Sequence, residues 1–193
     1  MNSKNREHWN VAEIFWAELA PAEHLVQIYE EERVFMDALE GFVIGGIRCG
    51  DGVIVIATED HRNALEHRLL ICGIDVERAR TRGQYIDLDA EDTLSKFMVG
   101  EWPDDDLFRR TVTELVSRAR GEARTVRAFG EMVAVLWARG HNAATVRLEH
   151  LWDSLCRSEA FPLFCAYPKS GFTQTPTSSV QEICSLHSKR VAG

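Results

Sequence analysis

Short apolar runs alternate with amphipathic stretches along the chain, and this alternation predicts the fold class. The runs typical of buried strands lie at residues 25–29, 53–57, 84–88, 125–129 and 163–167. The run VIVIA at 53–57 is β-branched and apolar on both faces, as expected of a central parallel strand that is covered on both sides. Strands that alternate with helices predict an α/β, three-layer sandwich with a mostly parallel central sheet and right-handed crossovers.

Apolar residues at helical spacing predict the helices between these strands. The first helix begins near Glu31 and is expected to end at Gly45 and Gly46. The other predicted helices follow residues 58–61, begin at the N-cap candidate Asp89, and cover Asp105–Arg120, Glu131–Ala138, Asn142–Arg157 and Val180–Ser188. The segment 172–179 (FTQTPTSS) has the composition of a loop.

Composition restricts the class of protein further. The 193 residues suit one domain, and an apolar fraction of 45% is sufficient for a hydrophobic core. The net charge of −8 argues against direct nucleic-acid binding, which needs clustered Lys and Arg. The five cysteines include no C-x-x-C pair, and no apolar stretch is long enough for a signal peptide or a membrane helix. We therefore expect a cytoplasmic protein with no membrane contact.

Ligands of open α/β sheets bind outside the carboxyl ends of the strands, and this rule selects the candidate site. The loop after the strand 53–57 contains Thr58, Glu59, Asp60 and His61, and Glu131 follows the strand 125–129. A phosphate-binding loop at such a place needs glycines and a lysine, whereas this loop has neither and carries two carboxylates. The sequence therefore predicts no Walker A loop and no ATP hydrolysis by that route.

Each candidate residue also has a purely structural interpretation, and the sequence leaves both open. His61 either contacts a ligand or bonds to a neighbour in the first turn of its helix. Glu131 either serves a site or favourably places a charge at a helix N-terminus. Met132 and Trp137 either line an apolar pocket or belong to the core. Cys165 lies in a buried strand and is expected to be inert.

A set of ordered motifs resembles one known family over residues 22–190. The motifs are His24–Tyr29 (HLVQIY), Ile56–Thr58 (IAT) with Glu59 and His61, Gly73–Val76 (GIDV), Gly83, Leu88–Ala90 (LDA), Val126–Met132 (VRAFGEM), Leu136–Trp137, Leu148–Trp152 (LEHLW) and Leu163–Pro168 (LFCAYP). In order and spacing they resemble the MEDS family, the sensory domains of methanogen and methylotroph regulators that include the dichloromethane-responsive type.

The resemblance implies a RecA-like, clock-ATPase-like fold that has lost the phosphate loop. It implies a non-catalytic sensory domain, residues 22–193, that follows an N-terminal helical extension, residues 1–21, and binds a small, hydrocarbon-derived ligand. Ligand contacts are expected from Tyr29, Thr58, Glu59, His61, Glu131, Met132, Trp137 and Tyr167. No catalytic residue, metal or cofactor is expected. No kinase or helix-turn-helix pattern accompanies the motifs, so the partner, a histidine kinase or transcriptional regulator, is expected to act in trans unless the sequence is a fragment.

Two other functions stay open at this point. The first is a protein–protein or partner-switching module with a vestigial pocket. Trp9, Phe15 and Trp16 would then cover a partner or the second subunit of a homodimer, although packing back on the same chain is an equal alternative. The second is an enzyme that uses His61 together with Glu59 or Glu131, which would show as turnover abolished by His61→Ala.

Overall fold

The structure, a computed structural model, describes residues 15–172 and 177–193. The strands are β1 (His24–Tyr29), β2 (Gly52–Ala57), β3 (Tyr85–Asp89), β4 (Met98–Val99), β5 (Trp102–Pro103), β6 (Val126–Gly130), β7 (Leu163–Pro168) and β8 (Lys189–Val191). The helices are α1 (Glu32–Cys49), α2 (Glu59–Ile71), α3 (Val76–Thr81), α4 (Ala90–Ser95), α5 (Asp105–Arg120), α6 (Met132–Ala138), α7 (Asn142–Glu159), α8 (Lys169–Phe172) and α9 (Thr177–Leu186).

Six strands form one parallel sheet in the order β3-β2-β6-β7-β1-β8, which confirms the predicted α/β class. The five strands predicted from apolar runs are all members of this sheet. The short edge strand β8 and the antiparallel hairpin β4-β5 were not predicted. Residues 173–176 of the predicted loop lie outside the described residues.

Helices cover the sheet on both faces and give the three predicted layers. One core cluster contains buried residues of α1, α2 and α3, with Phe42, Phe129 and Phe164 among its large side chains. The other contains residues of α4, α5, α6, α7 and α9, including Phe108 and Trp152. The strands supply residues to both clusters, because successive side chains of a strand point to opposite faces. In the described ranges, no helix has the length and apolarity that crossing a bilayer requires.

The expected end of the first helix at Gly45 and Gly46 was wrong. Helix α1 continues to Cys49 and is capped by Gly50 in the left-handed region, at φ 86°. The two earlier glycines instead lie where neighbouring groups approach the helix. A Cβ on Gly45 would lie 3.0 Å from the Trp16 carbonyl oxygen, and one on Gly46 would lie 2.6 Å from Cδ of Arg127. The glycines therefore serve close packing and not helix termination.

Trp16 belongs to the core, with only 5% of its surface exposed. Its ring contacts Phe42 and Phe164, at centroid distances of 5.8 and 5.7 Å. Phe15 is 38% exposed, and Trp9 lies outside the described residues. At Trp16 the chain therefore packs back on itself, and the boundary at residue 21 stays a prediction.

Candidate functional site

Three pairs of neighbouring strands send their helices to opposite faces of the sheet, and one of them is β3–β2 at the edge, where α4 and α2 lie on opposite faces. Helix α2 leaves β2 toward one face, whereas α6 leaves the adjacent β6 toward the other. The same reversal separates α1, after β1, from α9, the second helix after the adjacent β7. Such switch points are where open α/β sheets form ligand crevices at their carboxyl edge. The β2–β6 and β1–β7 switch points are the two inner ones, and the predicted residues Thr58, His61, Glu131 and Tyr29 lie at them.

At the β2–β6 switch point, Glu131 bridges the two loops. One carboxylate oxygen, Oε2, accepts the Thr58 backbone N–H at 2.9 Å and lies 3.2 Å from the Thr58 hydroxyl, which donates to it. The other, Oε1, lies 2.7 Å from Nδ1 of His61. Thr58 is the N-cap residue of α2 and makes no side-chain cap of its own. The remote carboxylate therefore places negative charge at the N-terminus of α2, where the helix dipole favours it.

The His61 ring is held on three sides. Its side chain is 14% exposed, its Nε2 lies 3.5 Å from Glu32 Oε1, and its ring contacts Phe35 edge-on at 5.0 Å. Burial alone would lower the pKa of His61. The hydrogen bond and charge of Glu131, with further help from Glu32, outweigh burial, so the pKa of His61 is raised. A raised pKa favours the imidazolium form opposite the Glu131 carboxylate.

Tyr29 extends this cluster to the end of β1. Its ring stacks on Phe35 at a centroid distance of 4.8 Å. Burial, followed by the charges of Glu131 and Glu32, raises the pKa of Tyr29 to about 12. Tyr29 is therefore a neutral hydrogen-bonding group at neutral pH. Through Phe35 it connects the β1–β7 switch point to the His61–Glu131 pair.

At the β1–β7 switch point, the surface contains two adjacent clefts. One, of about 450 Å³, is lined by Ile28, Glu30, Glu31, Val34, Lys169 and Gly193. The other, of about 290 Å³, is lined by Tyr29, Glu30, Pro168, Lys169 and Ser170. Glu30 and Lys169 form an ion pair between them. The volumes are near the lower end of the range typical of small-molecule sites.

The loop after β1 repeats the chemistry of the loop after β2. Glu30 and Glu31 connect the inner strand β1 to the 18-residue helix α1, and Glu32 is its first residue. This loop and the first turn of α1 also lack glycine and lysine, so they do not form the nest that binds phosphate. Three consecutive carboxylates would repel a triphosphate at this position. The acidic character predicted for the loop after β2 therefore extends to the second switch point.

The predicted ligand residues fall into two groups. Tyr29, Thr58, His61 and Glu131 lie together at the carboxyl edge, while Glu59 is exposed in the first turn of α2. Three others are buried in the core on the opposite face, at 0%, 4% and 0% exposure: Met132, Trp137 and Tyr167. These positions fit the core alternative for Met132 and Trp137. A ligand role for any residue of the set stays a prediction.

Sequence reasoning missed a buried polar cluster of His24, Glu149, Cys165 and His187. Among the residues that the structure describes, this is the group whose His, Cys and carboxylate ligand atoms are placed to hold a metal ion, all within 4.8 Å of one another. Local motif spacing cannot reveal such a set, because its members come from β1, α7, β7 and the segment after α9. One sequence signal was nevertheless present. Glu149 lies four residues after Thr145 and three before Trp152, and this spacing puts a carboxylate on the buried face of α7.

Comparison with known proteins supports the fold and the family. Residues 23–188 match the family model described as MEDS, the methanogen/methylotroph, DcmR sensory domain. A search of curated proteins gives no match. Among solved structures, the KaiC-like protein PH0186 of Pyrococcus horikoshii OT3 is similar with a TM-score of 0.61 and 11% identity, over 89% of this chain and 72% of that one.

A second protein of Pyrococcus horikoshii OT3, PH0250, has a TM-score of 0.60 and 13% identity, over 94% of this chain and 86% of that one. At such identities the likeness shows the fold alone. It confirms the RecA-like architecture expected from the resemblance.

Proposed function

Because the chain belongs to the MEDS family of sensory domains, we propose that it binds a small ligand at the β1–β7 clefts and reports binding to a signalling partner. The observation that carries this proposal is the pair of clefts at a switch point whose loop lacks phosphate-binding chemistry. Binding acts without catalysis, by stabilising one conformation that a histidine kinase or transcriptional regulator recognises in trans.

The lining of the clefts favours a neutral or cationic ligand with an apolar part. Ile28, Val34 and the Tyr29 ring offer apolar contacts, whereas Glu30 and Glu31 disfavour anions. A short hydrocarbon derivative with one polar group matches this mixture. The polar group of such a ligand would replace one partner of the Glu30–Lys169 ion pair. Because this pair is exposed, it contributes little to stability, and its loss would cost little.

A contiguous path of contacts leads from the clefts to the second switch point. Tyr29 lines the smaller cleft and stacks on Phe35, which contacts His61. His61 in turn is paired with Glu131 between β2 and β6. A ligand that shifts the Tyr29 ring would therefore alter the packing around His61, and this gives the partner a surface whose conformation depends on the ligand.

The test is a thermal-shift and calorimetric screen of the full chain with neutral one-carbon and short-chain compounds. A genuine ligand at 100 times its Kd should add about 2.7 kcal/mol to the free energy of unfolding. Tyr29→Ala and Val34→Ala each remove an apolar wall of a cleft and should weaken binding at least about tenfold, which corresponds to 1.4 kcal/mol. Arg110→Ala, in a separate cleft of about 580 Å³ along α5, is the control. Binding that persists in both cleft variants would place the ligand elsewhere and overturn the proposal.

A second function, a protein–protein interaction module, has one observation in its favour. Among the described residues, four large apolar side chains are about half exposed or more: Leu70 and Ile71 at the end of α2, and Val99 and Trp102 in the β4-β5 hairpin. Light scattering of the full chain tests whether either patch joins two copies. In that case Ile71→Asp or Trp102→Ser should convert a dimer to a monomer. A monomeric parent would exclude the homodimer.

A further inference from the structure

The four polar side chains His24, Glu149, Cys165 and His187 meet inside the protein, between the sheet and helices α7 and α9. Glu149 and Cys165 are 0% exposed, and His24 is 1% exposed. The His187 side chain is also 0% exposed, and its ring lies 3.9 Å from that of His24. Burial of this much polar surface is unfavourable unless the groups are paired or coordinate a cation.

Four of the six distances between the ligand atoms match the edges of a tetrahedral zinc site, and all six are within 4.8 Å. Nε2 of His24 lies 3.4 Å from Oε2 of Glu149 and 3.6 Å from Sγ of Cys165. Oε2 of Glu149 lies 3.8 Å from the same sulfur and 3.7 Å from Nε2 of His187. Zinc bonds to N, O and S are about 2.0–2.3 Å long, so the edges of a tetrahedral zinc site are about 3.3–3.8 Å.

Two of the four side chains have the outer hydrogen bonds that metal ligands use, and a third, His24, lies close to a carboxylate that could serve the same purpose. Nδ1 of His187 hydrogen-bonds to the Ile183 carbonyl oxygen at 2.7 Å, and Nδ1 of His24 lies 3.4 Å from Asp153 Oδ1. The Tyr167 hydroxyl donates to Oε1 of Glu149 and leaves Oε2 directed at the cluster. Such contacts fix the orientation of histidine and carboxylate ligands in metal sites.

His187 supplies the observation that a purely structural network does not explain. Because its Nδ1–H donates to a backbone carbonyl, its Nε2 carries a lone pair in the neutral ring. This nitrogen is buried, has no hydrogen-bond partner and faces the carboxylate of Glu149. A lone pair opposite a carboxylate is repulsive, whereas a cation between them would be bound by both.

We propose that His24, Glu149, Cys165 and His187 bind one Zn²⁺ ion in a closed, tetrahedral site. Two neutral imidazoles, one carboxylate and one thiolate balance the double positive charge, so the buried site is neutral overall. Binding releases the thiol proton of Cys165 to solvent. With four protein ligands and no open position, the ion is structural. It joins β1, β7 and α7 to the segment between α9 and β8, and so fixes the C-terminal part of the chain to the sheet.

The experiment measures metal directly on the full chain. Protein stripped with a chelator is titrated with Zn²⁺ and, separately, with Co²⁺ as a spectroscopic probe. We expect one equivalent of zinc per chain, a rise in Tm on zinc addition, and intense visible bands of tetrahedral cobalt. A sulfur-to-cobalt charge-transfer band should report Cys165 specifically. Stoichiometry below about 0.1 equivalent, with no rise in Tm, would overturn the proposal.

The chain offers matched controls for two of the ligands. Cys165→Ser and His187→Ala should weaken zinc binding by more than the roughly 10–100-fold typical of outer-shell substitutions. Cys156→Ser replaces a buried cysteine outside the cluster, and His150→Ala replaces an exposed histidine of α7 that pairs with Glu182, so both should retain one equivalent. Undiminished affinity in His187→Ala, or equal loss in the controls, would contradict the assignment.

One further variant keeps the test decisive if Cys165→Ser or His187→Ala fails to fold. Asp153→Asn leaves all four ligands in place and alters the contact with His24, besides weakening the ion pair of Asp153 with Arg157. It should reduce zinc affinity about 10–100-fold while the apo protein keeps its circular-dichroism spectrum. Unchanged affinity in this folded variant would show that the ion, if bound, does not use His24.

Discussion

The carboxylate of Glu131 lies 2.7 Å from Nδ1 of His61, a residue 70 positions earlier in the chain. Both side chains are mostly buried, at 9% and 14% exposure. Since Glu131 also accepts the Thr58 N–H, this one carboxylate joins the loops that follow β2 and β6. Glu131 therefore gives the His61 imidazolium a fixed counter-charge and couples the charges of the two loops at the β2–β6 edge.

Replacing Glu131 by Gln should destabilise the protein. The variant loses a charge-assisted hydrogen bond to His61 and the negative charge at the N-terminus of α2, at a cost of about 1.5–3 kcal/mol in the free energy of unfolding. Urea denaturation at pH 6 measures it. Glu32→Gln is the control, because Glu32 is 70% exposed and faces the other nitrogen of His61 at 3.5 Å. An exposed pair of this kind should contribute less than about 1 kcal/mol.

The stabilisation from the His61–Glu131 pair should depend on pH in a defined direction. Because the pKa of His61 is raised in the folded state, the stabilisation is fully present below the unfolded value of about 6.5. It is lost as pH rises through the folded-state pKa. The difference in unfolding free energy between the parent and Glu131→Gln should therefore shrink from pH 6 to pH 9. A difference that grows over this range would contradict the assigned direction.

Most of the sheet was predictable because its inner strands are buried on both faces. The run VIVIA of β2 is entirely buried, and continuous apolar runs of this kind identify strands without knowledge of their neighbours. Strand β8 escaped prediction because it has only three residues, of which Lys189 and Arg190 are exposed, whereas the other edge strand, β3, is longer and begins with buried Tyr85 and Ile86. The strand order was also beyond the sequence, because it depends on crossovers between distant segments.

For the candidate site, the sequence predicted which residues belong to it but not how they pair. The rule that parallel strands end at one edge brought Thr58, His61 and Glu131 into one set, and the structure places them in contact. It could not show that β2 and β6 are adjacent, and it therefore could not predict the His61–Glu131 hydrogen bond. The contact between His24 and His187 joins residues that are 163 positions apart in the chain, so no local spacing could predict it.

Trp16 is expected to contribute to the stability of the whole domain. Its ring is 5% exposed and packs on Phe42 and Phe164, so Trp16→Ala removes buried area and leaves a cavity. The cost should be about 3–5 kcal/mol. Phe15→Ala is the matched control, since Phe15 is 38% exposed and should contribute about 1 kcal/mol or less. Equal, small effects in chemical denaturation would show that residues before 22 form a separable extension.

Loss of one partner of the Asp51–Arg127 ion pair should lower the free energy of unfolding more than loss of a partner in an exposed pair. Arg127 lies in β6 with its side chain 3% exposed, and it donates to the backbone oxygens of Trp16 and Phe42 at 2.7 and 3.1 Å. Asp51→Ala leaves this guanidinium buried without its counter-charge, which should cost about 3–5 kcal/mol. Glu159→Ala breaks the more exposed pair with Arg120 and should cost about 1 kcal/mol or less.

A double-mutant cycle separates the pair from the cost of an orphaned charge. If the cost of Asp51→Ala arises mainly from the uncompensated guanidinium, adding Arg127→Met should recover part of it, because Met fills a similar volume without charge. The double variant should then be more stable than the sum of the single effects predicts. Additive losses in chemical denaturation would instead show that Arg127 acts chiefly through Trp16 and Phe42, whose carbonyls tie the N-terminal residues and α1 to the central strand β6.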